Sequence, residues 1–260
     1  MSGAFLLLVP IVLMLIVGIL YWFEEKMLFS PVYYREDEML HTFPSPFRAL
    51  ELAVDADVIL EGMLYEPISF KQTVLYFGGK EQDSVGLLVK LAQHYPHTRF
   101  VTFNYRGYGK SGGKPSQDFL YQDALAIFDY TQTHFGVDGV MGYSLGSSVA
   151  SYLCSKRESP WLVLIAAFDS IKELALHHYK MHFSFLARHP FNTRFHVQNI
   201  KAPLYLFVSL DDVVVPIHNA RNLSENVKNL VLYKEFSGYN HDEILFSDEV
   251  VTSLKEGLNL

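Results

Sequence analysis

Short apolar runs alternate with longer stretches of helical spacing along most of the chain. From Arg48 to Pro67, apolar and polar residues alternate as in half-buried strands, with residues 54–57 as the turn. Six further apolar runs predict strands: TVLYF at 73–77, RFVTFNY at 99–105, VDGVM at 137–141, WLVLIAAF at 161–168, LYLFVS at 204–209 and NLVLYKEF at 229–236. The stretches between these runs are apolar at helical spacing. This pattern predicts an α/β fold, with a mainly parallel, doubly wound sheet and helices on both faces.

The N-terminal segment has a different pattern. Ala4 to Phe23 contains neither a charge nor an amide, and as a helix it would rise about 30 Å, the thickness of a hydrocarbon core. It lacks the basic first region and the small-residue cleavage site of a signal peptide. We therefore predict a transmembrane anchor over residues 1–24 and a connector over residues 25–47. A buried helix of a soluble domain is the alternative.

Charge and composition narrow the classes of partner. The 260 residues carry a formal charge of -7, half of them are apolar, and no run of Lys and Arg occurs, so nucleic acid is not an expected partner. The single cysteine, Cys154, excludes an internal disulfide and is predicted to pack inside a helix. The histidines between 177 and 196 lack a carboxylate or cysteine set at ligand spacing, so we expect a lid surface there and neither metal nor cofactor.

The candidate nucleophile is Ser144, in the stretch Gly142-Tyr143-Ser144-Leu145-Gly146. This pattern alone is common. Here it lies between a predicted strand and a predicted helix, which is the context of a nucleophile elbow at the carboxyl edge of a parallel sheet. Gly142 and Gly146 are expected because side chains at these positions would collide with the turn, and the Leu145 N–H is the expected first oxyanion donor.

The base and the acid are expected after the serine in the chain. His241 follows the last predicted strand, whereas the other histidines precede strands or lie between Asp169 and Lys201. Asp211 and Asp212 both follow the strand at 204–209, and Asp169 ends another strand. The position of His241 singles it out, while the acid stays open among these three aspartates.

Six segments, in order along the chain, resemble the membrane-anchored α/β-hydrolases of the Bem46, ABHD13 and ABHD17 group: EEKMLFSP, YFGGKEQD, FNYRGYGKSGG, GYSLGSSVA, LDDVVVP and GYNHDE. The resemblance implies an α/β-hydrolase domain over residues 48–260 with a short lid at 169–201, and it favours Asp212 as the acid. It also implies Lys80 as the second backbone oxyanion donor, with Gly79 permitting close approach. Lys80 replaces the asparagine of the family.

These features together predict a single-pass membrane serine hydrolase that cleaves ester or thioester bonds through an acyl-enzyme. The substrate would be an acylated small molecule, lipid or protein, and Phe183 and Phe185, with Leu186 and Phe191, would roof the acyl pocket. Lys26 and Arg35 follow the apolar segment, which favours a cytoplasmic domain without deciding the side. A peptidase or amidase of the same fold, and a non-catalytic anchored binding module, are the alternatives.

Overall fold

The structure is a computed structural model that describes residues 2–32, 45–180 and 187–260, without the side chains of residues 2–9, 13, 16 and 20. Over these residues an eight-stranded sheet has the order β1-β2-β4-β3-β5-β6-β7-β8. The first two pairings, β1 with β2 and β2 with β4, are antiparallel, and the others are parallel. The strands are β1 (Phe47–Asp55), β2 (Val58–Tyr65), β3 (Gln72–Phe77), β4 (Thr98–Phe103), β5 (Gly139–Tyr143), β6 (Leu162–Ile165), β7 (Leu204–Ser209) and β8 (Leu230–Phe236).

Helices cover both faces of this sheet. They are α1 (Ser2–Leu28), α2 (Ser84–His94), α3 (Gln117–His134), α4 (Leu145–Lys156), α5 (Ile171–Tyr179), α6 (Thr193–Val197), α7 (Ile217–Ser224) and α8 (Asp248–Leu258), with a short 3₁₀ helix at Ile244–Phe246. One apolar core joins the sheet to α3, α4, α6 and α7, and a second joins it to α2 and α8. The predicted mainly parallel, doubly wound sheet is confirmed.

The segment between β6 and β7 differs in part from the prediction. Phe183, Phe185 and Leu186 lie outside the described residues. Phe191 does not roof a pocket, because it is fully buried in the core and its ring lies against those of Phe29 and Tyr121. Burial also removes His189, which is 6% exposed, from the expected lid surface. His196 is half-buried, and its ring packs edge-on against Tyr121 and Tyr152.

Helix α1 continues past the predicted end of the anchor, and its last residue, Leu28, is buried in the same core as the following Phe29. Most of the predicted connector, residues 33–44, lies outside the described residues. Counting only described residues, the structure has no helix with the length and apolar content that a membrane crossing requires.

The loop after β4 supports the loop after β3. Arg106 makes a bidentate contact with Asp123 of α3, at 2.7 and 2.9 Å, and both side chains are almost fully buried. Its neighbours Tyr105 and Tyr108 donate hydroxyl hydrogen bonds of 2.8 Å to the carbonyls of Gly78 and Lys80. The glycine-rich stretch from 104 to 115 is thus a structural turn, held by a buried ion pair.

This ion pair predicts a measurable loss of stability. In Asp123→Asn the buried Arg106 charge loses its main carboxylate, so we expect the free energy of unfolding to fall by about 3–5 kcal/mol. The matched control, Asp129→Asn, breaks the exposed pair with Arg157 and should cost about 0–1 kcal/mol. Urea unfolding followed by circular dichroism measures both values. Equal losses would show that burial does not set the strength of the Arg106 contact.

Candidate active site

Ser144 lies in a strained turn between β5 and α4. Its φ of 51° and ψ of -118° are values that an L residue seldom adopts, and they point the side chain away from both elements. A Cβ on Gly146 would lie 2.1 Å from the Phe77 carbonyl oxygen, and one on Gly142 would lie 2.4 Å from the Gly146 carbonyl oxygen. Only glycine fits at either position, so the turn depends on both.

Three side chains form a continuous chain of hydrogen bonds at this turn. The Ser144 hydroxyl oxygen is 2.9 Å from Nε2 of His241, and Nδ1 of His241 is 2.6 Å from Oδ2 of Asp212. A proton on Nδ1, facing the carboxylate, leaves Nε2 able to accept the hydroxyl proton. The arrangement can therefore raise the nucleophilicity of Ser144.

The three candidate acids have distinct positions. Asp212 contacts His241, and its second oxygen accepts the N–H groups of Val214 and Val215, both at 2.8 Å. Asp211 instead accepts the N–H of Gly238 at 2.6 Å, in the loop that leads to His241. Asp169 is fully buried and accepts from the amide of Asn219 at 2.8 Å. The structure thus brings Asp212, and neither alternative, to the histidine.

Sequence reasoning missed a residue that fixes the histidine loop. The hydroxyl of Tyr143 donates to the backbone carbonyl of His241 at 2.8 Å, and it is 3.2 Å from a carboxylate oxygen of Asp242. Burial raises the pKa of Tyr143 far above its usual value, so the hydroxyl stays a neutral donor. Ser209 Oγ donates to the carbonyl of Tyr239 in the same loop. Tyr143 is the variable position of the elbow motif, so the motif gave no signal of this contact.

The loop after β3 lies against the nucleophile. A Cβ on Gly79 would lie 3.0 Å from the Tyr143 ring and 3.4 Å from Cβ of Ser144, which leaves little room for a side chain. The Gly79 N–H donates to Oε1 of Gln82 at 2.9 Å, so the next N–H in the loop is that of Lys80. Leu145 is the first residue of α4, where the N–H has no acceptor within its own helix. The Lys80 side chain turns elsewhere, since Nζ is 3.2 Å from the Met27 carbonyl oxygen.

Ser144, Leu145 and Lys80 line one cavity of about 380 Å³, which is within the size range of small-molecule sites, about 300–1,000 Å³. Its other walls come from α1, from α5 and from Val213, Val214 and Val215 after β7. Within the described ranges, no group of three or more His, Cys, Asp or Glu side chains is placed to hold a metal ion.

The comparisons with known proteins agree with the fold described above. A family model described as "alpha/beta hydrolase fold" matches residues 77–193, which include the elbow and both glycine-rich loops. The chain has the α/β-hydrolase fold. An esterase of Pyrococcus furiosus, Pf2001, superposes on this hydrolase fold with a TM-score of 0.67 at 20% identity, over 89% of this chain and 98% of that one.

Two relatives also match this chain in sequence. Lysophosphatidylserine lipase ABHD12 of Rattus norvegicus is 32% identical over an alignment of 189 positions, which covers 61% of this chain and 48% of that protein. The uncharacterized protein MT2364 of Mycobacterium tuberculosis is 28% identical over 218 positions, covering 77% of each. The chain spans about half the length of the ABHD12 proteins that it matches.

The hydrogen-bond chain predicts selective labelling of Ser144. A fluorophosphonate probe reacts with an activated serine, so we expect labelling of the intact protein and none of Ser144→Ala. Asp212→Asn removes the carboxylate that orients His241, and it should slow labelling by about 10⁴-fold, whereas Asp211→Asn keeps an acceptor for Gly238 and should stay near wild type. Labelling rates from gel fluorescence test both. The reverse ranking of the two aspartate variants would assign the acid role to Asp211.

Proposed function

We propose that this chain is a serine hydrolase that cleaves carboxylic ester or thioester bonds. The observation that carries the proposal is the hydrogen-bond chain from Ser144 through His241 to Asp212. Its Ser144 end lines a largely apolar cavity. The order of the three residues and the elbow strain at Ser144 support the same chemistry. Ser144 is the nucleophile, His241 the base and Asp212 the residue that orients the base.

In the first half of the reaction, Ser144 Oγ attacks the acyl carbonyl carbon and its proton passes to Nε2 of His241. The carbonyl oxygen becomes an oxyanion, which accepts hydrogen bonds from the N–H groups of Leu145 and Lys80. When the tetrahedral intermediate collapses, His241 protonates the leaving alcohol or thiol. Water then repeats these steps on the acyl-enzyme, which releases a carboxylic acid and restores Ser144.

An apolar acyl group suits the cavity. Its walls carry aliphatic side chains such as Leu174, Val213 and Val214. One relative in sequence is named a lysophosphatidylserine lipase, and one structural neighbour is named an esterase. Both names support an ester as the scissile bond. The resemblance to the Bem46, ABHD13 and ABHD17 group supports an acylated lipid or protein as the substrate.

The catalytic role of Ser144 predicts the result of a single substitution. Ser144→Ala should abolish hydrolysis of p-nitrophenyl butyrate, because it removes the nucleophile and leaves only the small residual effect of the oxyanion donors. The control is Ser151→Ala, which deletes a hydroxyl that donates within α4, away from the triad. Wild-type turnover by the Ser144 variant would contradict the triad. An intact protein that cleaves p-nitroanilides faster than these esters would instead be an amidase.

The same proposal includes attachment to a membrane through α1. Several apolar side chains of this helix are more than half exposed: Ile11, Met14, Leu15, Ile19 and Trp22. Exposure of such an apolar surface to water is unfavourable, whereas its burial in a bilayer is favourable. Lys26 and Arg35, which follow the apolar segment, favour the cytoplasmic side of the membrane for the attached catalytic domain.

If α1 attaches the protein to a membrane, deleting its first half should abolish vesicle binding and leave ester hydrolysis unchanged. Removing residues 1–16 takes away much of the exposed apolar surface and keeps Val17 and the later part of α1, which line the cavity. We expect the shortened protein to stop co-sedimenting with lipid vesicles and to keep its activity on p-nitrophenyl butyrate. Vesicle flotation and the ester assay measure the two properties. Unchanged flotation would show that the first half of α1 is not the membrane attachment.

A further inference from the structure

The C-terminal half of α1 forms a wall of the cavity that contains Ser144. Its lining residues are Val17, Tyr21, Phe23, Glu24, Met27 and Leu28, and most of them recur at intervals of three or four residues, so they share one face of the helix. Helix α5 faces them with Ile171, Leu174 and Ala175. The cavity is therefore enclosed by a helix that precedes the sheet as well as by the segment between β6 and β7.

This half of α1 is attached to the rest of the domain at several points. The Glu24 carboxylate accepts the backbone N–H groups of Arg188 and His189, at 3.0 and 2.9 Å. The Lys80 Nζ, from the loop beside the nucleophile, is 3.2 Å from the Met27 carbonyl oxygen at the helix end. Phe29, directly after the helix, packs in the core. These contacts hold the wall in a defined position relative to Ser144.

Three polar side chains of the cavity wall, those of Glu24, Lys80 and His178, are already engaged within the protein. Glu24 binds the two N–H groups named above, and Lys80 contacts the Met27 carbonyl and Glu81. Nε2 of His178 is 2.9 Å from the Val214 carbonyl oxygen. The remaining wall is mainly aliphatic and aromatic, so an apolar ligand is the one that it favours.

The same helix leads out of the cavity along an apolar surface. Met14, three residues before Val17 and on the same face of the helix, is 73% exposed. A long acyl chain that enters along α1 would thus keep apolar contact from the outside of the domain to Ser144.

We propose that α1 is a specificity-determining part of the active site, which binds the long, unbranched acyl chain of an ester substrate between itself and α5. This inference rests on the proposed hydrolase function, and it adds the substrate class and the helix that selects it. Contacts with the distant part of an acyl chain raise kcat/KM only for substrates long enough to make them.

The first test fills the cavity from α1. In the full-length protein, Val17→Trp should lower kcat/KM for p-nitrophenyl laurate by about 10-fold or more, and it should change kcat/KM for p-nitrophenyl butyrate less than about twofold. Val17 lines the cavity about 15 Å along α1 from Met27, the helix end that contacts Lys80, so the distal part of a long chain is what it should contact. Ile19→Trp places the same side chain on the exposed face of α1 and is the control. An unchanged ratio of laurate to butyrate activity in Val17→Trp would overturn the inference, and so would an equal fall for both esters.

The second test uses the unaltered protein and does not depend on the folding of a variant. A long-chain alkyl fluorophosphonate with a terminal diazirine reacts at Ser144, and light then cross-links its chain to neighbouring residues. Mass spectrometry should locate the cross-link within residues 17–28 or within α5. Cross-links confined to other segments would overturn the inference. Absence of any labelling at Ser144, with no hydrolysis of either ester, would instead overturn the proposed hydrolase function, and this inference with it.

Discussion

The backbone at Ser144 is the constraint on which the candidate site depends. A positive φ at this residue is unfavourable by itself, and the turn persists because the packing around it fixes the backbone conformation. The carbonyl oxygen of Phe77 at the end of β3 occupies the space next to Gly146, and the start of α4 occupies the space next to Gly142. The strain therefore results from close packing of α4 on two neighbouring parallel strands, and it presents the hydroxyl beyond the sheet edge.

The other groups of the site reach Ser144 because loops from separate strands are joined to one another there. Tyr143 binds the histidine loop after β8, and Asp211 binds the same loop through Gly238. Tyr105 and Tyr108 bind the loop after β3. The topology of a parallel sheet is enough to bring loops at one edge near each other. The reacting atoms, however, need positions defined to a fraction of an ångström. These hydrogen bonds supply that definition.

Helix α1 connects two roles that are separate in the sequence. Its exposed apolar first half supports the proposed membrane attachment, and its second half lines the cavity over Ser144. Lys80 links the end of this helix to the loop beside Ser144, because its backbone belongs to the proposed oxyanion loop and its side chain binds the Met27 carbonyl. Lys80, which stands where the group that the sequence resembles carries asparagine, thus has a structural role of its own in this protein.

The sequence alone determined the α/β class, the mainly parallel sheet and the positions of the strands, because hydrophobic periodicity reports which faces are buried. It also placed Ser144 and His241, since a strand-to-helix turn and a loop after the last strand lie at the same sheet edge. Only the tertiary structure brought Asp212 rather than Asp211 to His241, because adjacent residues of a turn point in different directions. Burial of Phe191 and the use of α1 as a cavity wall likewise depend on contacts between distant segments, which no local pattern contains.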